Sequence, residues 1–491
     1  MSSFAVLHIT SLLGGGVDRH VRSITRGSRH AQLAWHVGER AEVMELPDEG
    51  RYVALDPAAL DRDPAASAKW LRSRRVGIVH VHATTEAVRR RAAWAAQALG
   101  VRYVATLHDI LFLRSRAFEE PDAPPDPAWL ARTGEFLRAA AAVIAPSEYI
   151  AQRARAALPG LEVTVIPNGS PPPSPGTPAR PRPEFAAKSP AHVAVMIGAI
   201  GPHKGASVLD SLGAELAGTS IAIVVLGYLD RQVLPGWRGD HVFIHGAWQD
   251  DEVTPLARAY GAEIALFPNQ VPESFSYTLS DAWSAGLPVL AAPSGALAER
   301  IRAHGGGWLL PTKFGPREIA RSLGKLLGPE GATELARVKS RLAAGDPARV
   351  PSLEEMTRSL DAFYDRYGID PGAPAAGDSA ELSELLARNI DGSLFRQELV
   401  RLADEMLQMR ASLAEVDRER IEAGRHAEDA KAWGAKLEAD VASVSDELRR
   451  EVEARRGFAE ENAQLQRHKR ALELLPRWLA RVLMKISDGR S

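Results

Sequence analysis

The feature that most constrains this chain is a rhythm that runs twice. Short apolar segments at 4–9, 32–37, 76–82, 103–108, 142–146 and 163–166 alternate with mostly helical ones such as 85–99 and 129–141. The alternation resumes at His192, with strand-like runs at 193–197, 221–227, 241–245, 264–267 and 288–292. Strands that alternate with helices build a parallel sheet covered on both faces. Between the two runs lies 171–190, PPPSPGTPARPRPEFAAKSP, which reads as a Pro-rich linker. The expected fold class is α/β, with one domain over 1–170 and a second over 191–350.

Composition narrows the class of function. Lys+Arg 60 stand against Asp+Glu 62, a formal charge of −2, so no basic excess points to nucleic acid. The absence of cysteine excludes disulfides, thiolate catalysis and cysteine-ligated zinc, and fits a cytoplasmic setting. The opening MSSFAVLHITSLLGGG lacks the basic n-region and unbroken apolar run of a signal peptide. No stretch reaches the ~18–20 apolar residues of a transmembrane helix, so any membrane contact is expected to be peripheral.

The densest chemistry lies in 261–300, GAEIALFPNQVPESFSYTLSDAWSAGLPVLAAPSGALAER. A buried strand at 264–267 breaks at Pro268, a helix is expected over 274–285, and Gly286 is placed to end it. Glu273 thus sits at a strand-to-helix turn, where open parallel sheets bind ligands. Glu273, Tyr277 and Asp281 recur every four residues and share one helix face. Two carboxylates on one face suit a polyhydroxylated ligand, since each accepts several hydroxyl hydrogen bonds. The helix N-terminus between them favours phosphate. On spacing alone, an amphipathic helix with a solvated acidic face explains the pattern equally well.

Other strand ends add candidates. Gly14-Gly15-Gly16 follows the first strand and lets a ligand approach the main chain, although GxGxxG is absent. His80-Val81-His82 places two histidines on one strand face, half of a metal site, but no third ligand is evident nearby and no metal is expected. Leu107-His108-Asp109 puts His108 at the carboxyl end of a buried strand, pointing into the crevice; a histidine satisfied by neighbouring backbone is the alternative. Residues 110–116 mix apolar side chains with arginines and suit an acceptor lip, a membrane-facing loop or a buried helix start. The glycine-rich turn 198–205 carries His203 and Lys204 into the next helix.

Taken together, these residues resemble the donor site of retaining nucleotide-sugar glycosyltransferases of the GT-B fold, family 4 type. There a glutamate, seven residues and a second glutamate precede a small-residue helix end and a strand; here Glu273 and Asp281 hold those places. The resemblance covers about 4–367. It implies two Rossmann-like domains facing a cleft, and a helix over 351–367 that crosses back to the first domain. It implies that Glu273 contacts donor-sugar hydroxyls, Asp281 the ribose, His108 the sugar pocket and Lys204 the diphosphate. By the same resemblance Gly15 and Gly16 lie near the donor phosphates, and Ser274, Phe275 and Ser276 replace glycines common at those places. His203 and Asp109 are candidate phosphate or acceptor contacts, and Glu299 stands beside the donor. Ala199 occupies the position of a diphosphate-binding arginine, so His203 or another basic group is expected to compensate. Ser147 is a plausible N-cap for a helix that follows it.

A second linker, 368–379, leads into a charged tail. Leu399, Leu402, Met406, Met409, Leu413 and Val416 alternate steps of three and four, and Leu437, Val441, Val444 and Leu448 repeat them. This heptad seam is expected to form a coiled coil over 380–468 and a homo-oligomer. In 470–486, Arg477, Arg481 and Lys485 share a face beside Trp478, Leu479 and Val482. That suits an amphipathic helix at the inner face of a membrane or a cap on the coiled coil. The leading expectation is a retaining transferase that moves sugar from a nucleotide-diphosphate sugar to a glycan or lipid-linked acceptor, without cofactor, in the usual family setting of surface polysaccharide assembly. A catalytically degenerate scaffold and a nucleotide-sugar epimerase are the rival readings.

Overall fold

The computed structural model describes residues 4–372 except 12–14, 39–41, 56–63, 116–123, 173–178, 230–234, 247, 249–251 and 346–349, and adds 442–443 and 445–446. Apart from those last four helical residues, the heptad seam of 380–468 and the 470–486 segment lie outside the described residues, and so does Arg116.

Two sheets organise the rest. The first contains β1 (Ala5–Ser11), β2 (Ala31–Val37), β3 (Glu42–Leu46), β4 (Arg51–Leu55), β5 (Val76–Val81), β6 (Arg102–Thr106), β7 (Ala142–Ala145) and β8 (Val163–Val165), in the order β4-β3-β2-β1-β5-β6-β7-β8. The second contains β9 (His192–Ile200), β10 (Ile221–Leu229), β11 (Gly236–Arg238), β12 (Val242–Gly246), β13 (Ile264–Phe267), β14 (Val289–Ala291) and β15 (Gly307–Leu309), in the order β11-β12-β10-β9-β13-β14-β15. Each sheet grows outward from its first strand. β1 lies between β2 and β5, and β9 lies between β10 and β13. Where the order of winding reverses, helices depart to opposite faces and a crevice opens beyond the strand ends. This is the GT-B arrangement of two α/β domains.

The sheets are mixed rather than parallel throughout. β3 and β4 pair antiparallel at one edge, and β11 pairs antiparallel with β12. Antiparallel neighbours need no crossover helix, so the strand–helix rhythm does not mark them. β3 and β4 are joined by a single 3-10 turn, Pro47–Glu49.

Alternation within strands assigns the two faces of the first sheet. Ala5, Leu7 and Ile9 enter one core; Phe4, Val6, Ile78, Val104 and Ile144 enter the other. The second core is closed by helix Leu353–Tyr367, whose Met356, Leu360 and Tyr364 recur every four residues. Ser352 caps that helix by accepting from the Glu355 amide at 3.1 Å. The chain therefore returns from the second domain to cover the first. His8 and His80 continue the Val6 and Ile78 face, so they sit beneath this helix.

The segment after β6 takes the buried one of the readings its sequence allowed. Ile110, Phe112, Leu113 and Arg114 are buried, and the Trp129 indole donates to the Leu111 carbonyl at 2.6 Å. It packs into the core instead of facing a membrane. No described helix is long and apolar enough to cross a membrane.

Candidate active site

A cavity of about 750 Å³ lies at the crevices of both sheets. Gly15, Gly16, Arg19, His108 and Asp109 border it from the first domain; Ala199, His203, Lys204, Glu273, Ser274, Phe275 and Ser276 border it from the second. Of the side chains singled out from sequence, Asp281, Glu299, His80, His82 and Ser147 are not on its wall.

The donor-side loops are built by close backbone approach. Lys204 ends a 3-10 turn, Pro202–Lys204, after β9. Gly205 follows at φ 90°, where a Cβ would meet the Pro268 carbonyl oxygen at 2.8 Å. The Gln270 amide donates to the His203 carbonyl at 2.9 Å, which ties the β9 turn to the β13 turn. On the other side of Glu273 stands Gly295, at φ 66°; a Cβ there would lie 2.8 Å from the Glu273 backbone. Lys204 Nζ comes 3.8 Å from Glu273 Oε1, and Asn269 donates to the same oxygen at 3.0 Å. The pair is partly exposed, at 26% and 21%. An ion pair so long and so open to water holds little energy, and both groups retain capacity to bind a ligand.

The following helix starts at Tyr277 rather than Ser274 and runs to Ser284. Ser276 is its N-cap and accepts from the Leu279 amide at 3.3 Å. It sits at φ 70°, a region that costs energy for any residue but glycine. The Arg300 guanidinium overdetermines this turn. It donates to the Phe275 carbonyl at 3.1 Å, the Ser276 carbonyl at 3.0 Å and Ser280 Oγ at 2.8 Å. It also lies 4.2 Å over the Phe275 ring. Burial lowers its pKa to about 9.

Asp281 lies where the helix leads it, but its partner is another protein residue. Both carboxylate oxygens accept from Arg19, Nη1 and Nη2, at 2.8 Å each. Arg19 comes from helix Gly15–Gly27 of the first domain, and its Cζ lies 4.5 Å over the Tyr277 ring. The expected ribose contact is thus an interdomain clamp in this structure. Glu299 also faces away from the donor side. It accepts from the Glu148 amide at 3.1 Å and from the Tyr149 amide, at the N-terminus of helix Glu148–Ala157. A carboxylate is favoured there by the exposed amides and the helix dipole. Ser147 caps the same helix and donates to the Ser274 carbonyl at 2.7 Å.

The first-domain wall rests on histidines. His108 Nε2 is 3.1 Å from His82 Nδ1; His82 Nε2 is 2.8 Å from His8 Nδ1; His8 Nε2 is 2.6 Å from Gln32 Oε1. His80 bridges the Tyr364 hydroxyl at 2.7 Å and Thr106 Oγ1 at 2.8 Å. Burial pushes His8 down to about 4 and His108 to about 3, and lowers His20, His80 and His82 well below the ordinary value. All five imidazoles are neutral at pH 7. Burial raises the Asp109 carboxyl to about 6, against the opposing hydrogen bond from the Leu111 amide at 2.8 Å. The HVH and HD motifs mark three members of this set; His8 and His20 are isolated in sequence and join only through the strand pairing of His8 with His80 and the packing of the first helix. Arg19 and Arg22 border the cavity as well, so guanidinium groups reach it from the first domain although Ala199 brings none.

Comparison with known proteins agrees with this division. Residues 14–172 match the family model Glycosyltransferase Family 4, and residues 180–340 match the model Glycosyl transferases group 1. Among solved structures, Anabaena HepE in complex with UDP-glucose is similar at 17% identity and a TM-score of 0.53, over 74% of this chain and 99% of that one. Sucrose-phosphate synthase from Thermosynechococcus elongatus follows at 15% and 0.51, over 74% and 98%. The catalytic domain of starch synthase IV from Arabidopsis thaliana, bound to ADP and acarbose, matches at 13% and 0.51, over 74% and 99%. At these identities the likeness establishes the fold. No curated protein matches the chain.

Proposed function

We propose that this chain, a glycosyltransferase of the GT-B fold, moves a hexosyl unit from a nucleotide-diphosphate sugar to a glycan or lipid-linked acceptor with retention at the anomeric carbon. One observation carries the reading: Lys204 and Glu273, from two different loops, meet at 3.8 Å on the wall of a cavity that His108 borders from the other domain. A diphosphate needs a cation, a sugar needs an acceptor of hydroxyl hydrogen bonds, and a cleft between them excludes water. UDP-glucose bound to HepE supports a nucleotide sugar as donor for this fold.

In the proposed step the bond between the anomeric carbon and the diphosphate oxygen breaks. The acceptor hydroxyl attacks from the same face, and the departing phosphate takes its proton. Lys204 and the amides at the Tyr277 helix entrance stabilise the negative charge that develops on the diphosphate. Glu273 orients the sugar through its hydroxyls. Neutral His108 offers one hydrogen bond without placing a positive charge beside the developing oxocarbenium character. Asp109 borders the acceptor side. In this scheme the leaving group is stabilised by protein groups alone, and no cofactor takes part. Surface polysaccharide assembly is the setting we infer, with the tail beyond 380 serving association and membrane contact.

The experiment is a panel of labelled nucleotide sugars given to the purified full-length protein, with and without a membrane lipid extract. Label in lipid or glycan with the α- or β-configuration of the donor kept is the expected result. A new free nucleotide sugar would favour epimerisation, and inverted product would reject retention.

A further inference from the structure

Behind His108 stand two imidazoles that sugar transfer leaves unused. His20, His82 and His108 bring one ring nitrogen each to within 4.8 Å of one another. Their ring centroids are 4.6 Å apart for His20–His108, 5.4 Å for His82–His108 and 5.5 Å for His20–His82. All three are buried, His20 and His82 almost completely at 2% and 1% exposure. Imidazole nitrogens around a tetrahedral ion, at bonds of ~2.0–2.1 Å, stand roughly 3.3 Å apart. His82 Nδ1 and His108 Nε2 are already 3.1 Å apart.

We propose that His20, His82 and His108 form a tris-imidazole site for a divalent transition-metal ion, of which Zn²⁺ is the probe, with its remaining position open to the cleft.

Hydrogen-bond logic fixes which nitrogens are available. Gln32 donates through Nε2 to Ser28 Oγ at 2.9 Å and to the His30 carbonyl at 2.8 Å. Its Oε1 therefore faces His8 Nε2 and can only accept, so His8 carries its proton on Nε2 and a lone pair on Nδ1. His82 Nε2–H must donate to that lone pair, which leaves His82 Nδ1 unprotonated. The His108 Nε2–H is the one proton that reaches it. His20 meets the Tyr277 hydroxyl through Nδ1 at 3.5 Å, while its Nε2 is buried without a hydrogen-bond partner. The cluster thus holds a lone pair on His82 and an unpartnered nitrogen on His20 around a single donor.

A cation resolves this shortage. It takes the lone pairs of His82 Nδ1 and His20 Nε2 directly, and that of His108 Nε2 once the His108 proton moves to Nδ1. The ligands stay neutral and no proton is released. The His82–His8–Gln32 chain supplies the outer hydrogen bond that orients a metal-bound histidine. His108 also borders the sugar pocket. On the transferase reading above, an ion here competes with the donor sugar and lowers transfer, and a chelator restores it.

The test is a binding measurement on full-length protein, independent of activity. Zn²⁺ is titrated against a chromophoric chelator, and the Co²⁺-loaded protein is examined for the visible bands of tetrahedral cobalt. One tight site per chain is expected. His20→Ala should weaken it at least a hundredfold and abolish the cobalt bands, while nucleoside diphosphate still binds. His20→Gln, which keeps a polar side chain but no imidazole, serves if the alanine variant does not fold. Equal zinc affinity in wild type and either folded variant would overturn the site, and so would zinc held only at weak sites elsewhere on the chain.

Discussion

The two walls of the cleft solve different physical problems. The second-domain wall carries formal charge at partly exposed positions, Lys204 and Glu273, on loops whose shape depends on glycines at 205 and 295. The first-domain wall rests on five buried imidazoles without formal charge, of which His8, His82 and His108 are hydrogen-bonded in a chain. Charge near water can be paired and released as a diphosphate comes and goes. A buried neutral network cannot rearrange cheaply, so it fixes position instead. The difference teaches that the partly exposed Lys204–Glu273 pair and the buried imidazole network lie on separate domains, and that the two walls should respond differently to pH and salt.

The largest expected contrast is in acid. The folded pKa of His8, about 4, lies below its unfolded value of 6.5. Its contribution to stability is therefore complete above pH 6.5 and is lost as pH falls towards 4. One shift of that size corresponds to about 3 kcal/mol, and the other buried imidazoles add in the same direction. Denaturant midpoints of the full-length protein should fall steadily between pH 6.5 and 4.5. A loss that begins only below pH 4.5, where ordinary carboxylates protonate, would break the comparison by removing the cost of the neutral wall.

Next in size is the charged wall itself. Glu273→Gln keeps the shape of the turn and removes a charge that accepts from Asn269 and, in the proposed scheme, would accept from sugar hydroxyls. A charge-assisted hydrogen bond is worth ~1.5–3 kcal/mol, or roughly ten- to a hundredfold in turnover. Steady-state rates at saturating donor check it, and a circular-dichroism melt within a few degrees of wild type shows that folding is intact. Undiminished turnover would move the donor site away from this loop.

A smaller effect belongs to the seam between the walls. Arg19 and Asp281 form a bidentate pair with side chains only 16% and 11% exposed. A double-mutant cycle of Arg19→Met and Asp281→Asn should give a coupling of about 1–2 kcal/mol in stability. A coupling near zero would mean that the domains are not held by this contact. If nucleotide affinity falls only with Asp281→Asn, the carboxylate serves the ribose as well.

These contacts also mark the limit of what sequence reading reaches. Glu273, Lys204 and His108 were legible because each sits at a strand end, and a strand end in an alternating chain has a known side. The Glu273–Asp281 spacing was legible as a shared helix face, but spacing cannot say which domain that face meets; Arg19 lies 262 residues from its partner. Arg300 carries no local signal, yet it holds the strained Ser276 turn from 24 residues away. His8 and His20 look like core residues until β1 and β5 pair in register. The antiparallel strands β3, β4 and β11 escape sequence reading for the opposite reason: they are local, but antiparallel pairs lack the intervening helix on which the rhythm depends.

The smallest effect tests whether the charged wall reads phosphate as such. Among the described residues Lys204 Nζ makes one long ionic contact, at 3.8 Å to Glu273, and the side chain is 26% exposed. An ammonium acts on phosphate as a point charge, and near water that charge is screened. Lys204→Ala should therefore weaken nucleoside diphosphate binding by roughly five- to tenfold, about 1 kcal/mol. The nucleoside alone, which offers no phosphate, should bind unchanged. The gap between the two ligands should narrow as salt rises from 50 to 500 mM, because the Debye length falls to a few ångströms, on the order of one side chain's reach. Isothermal titration of both ligands into wild type and variant measures this directly. An equal loss for both would mean that Lys204 shapes the loop through Glu273, and a salt-independent gap would place it in a contact more buried than the cleft provides.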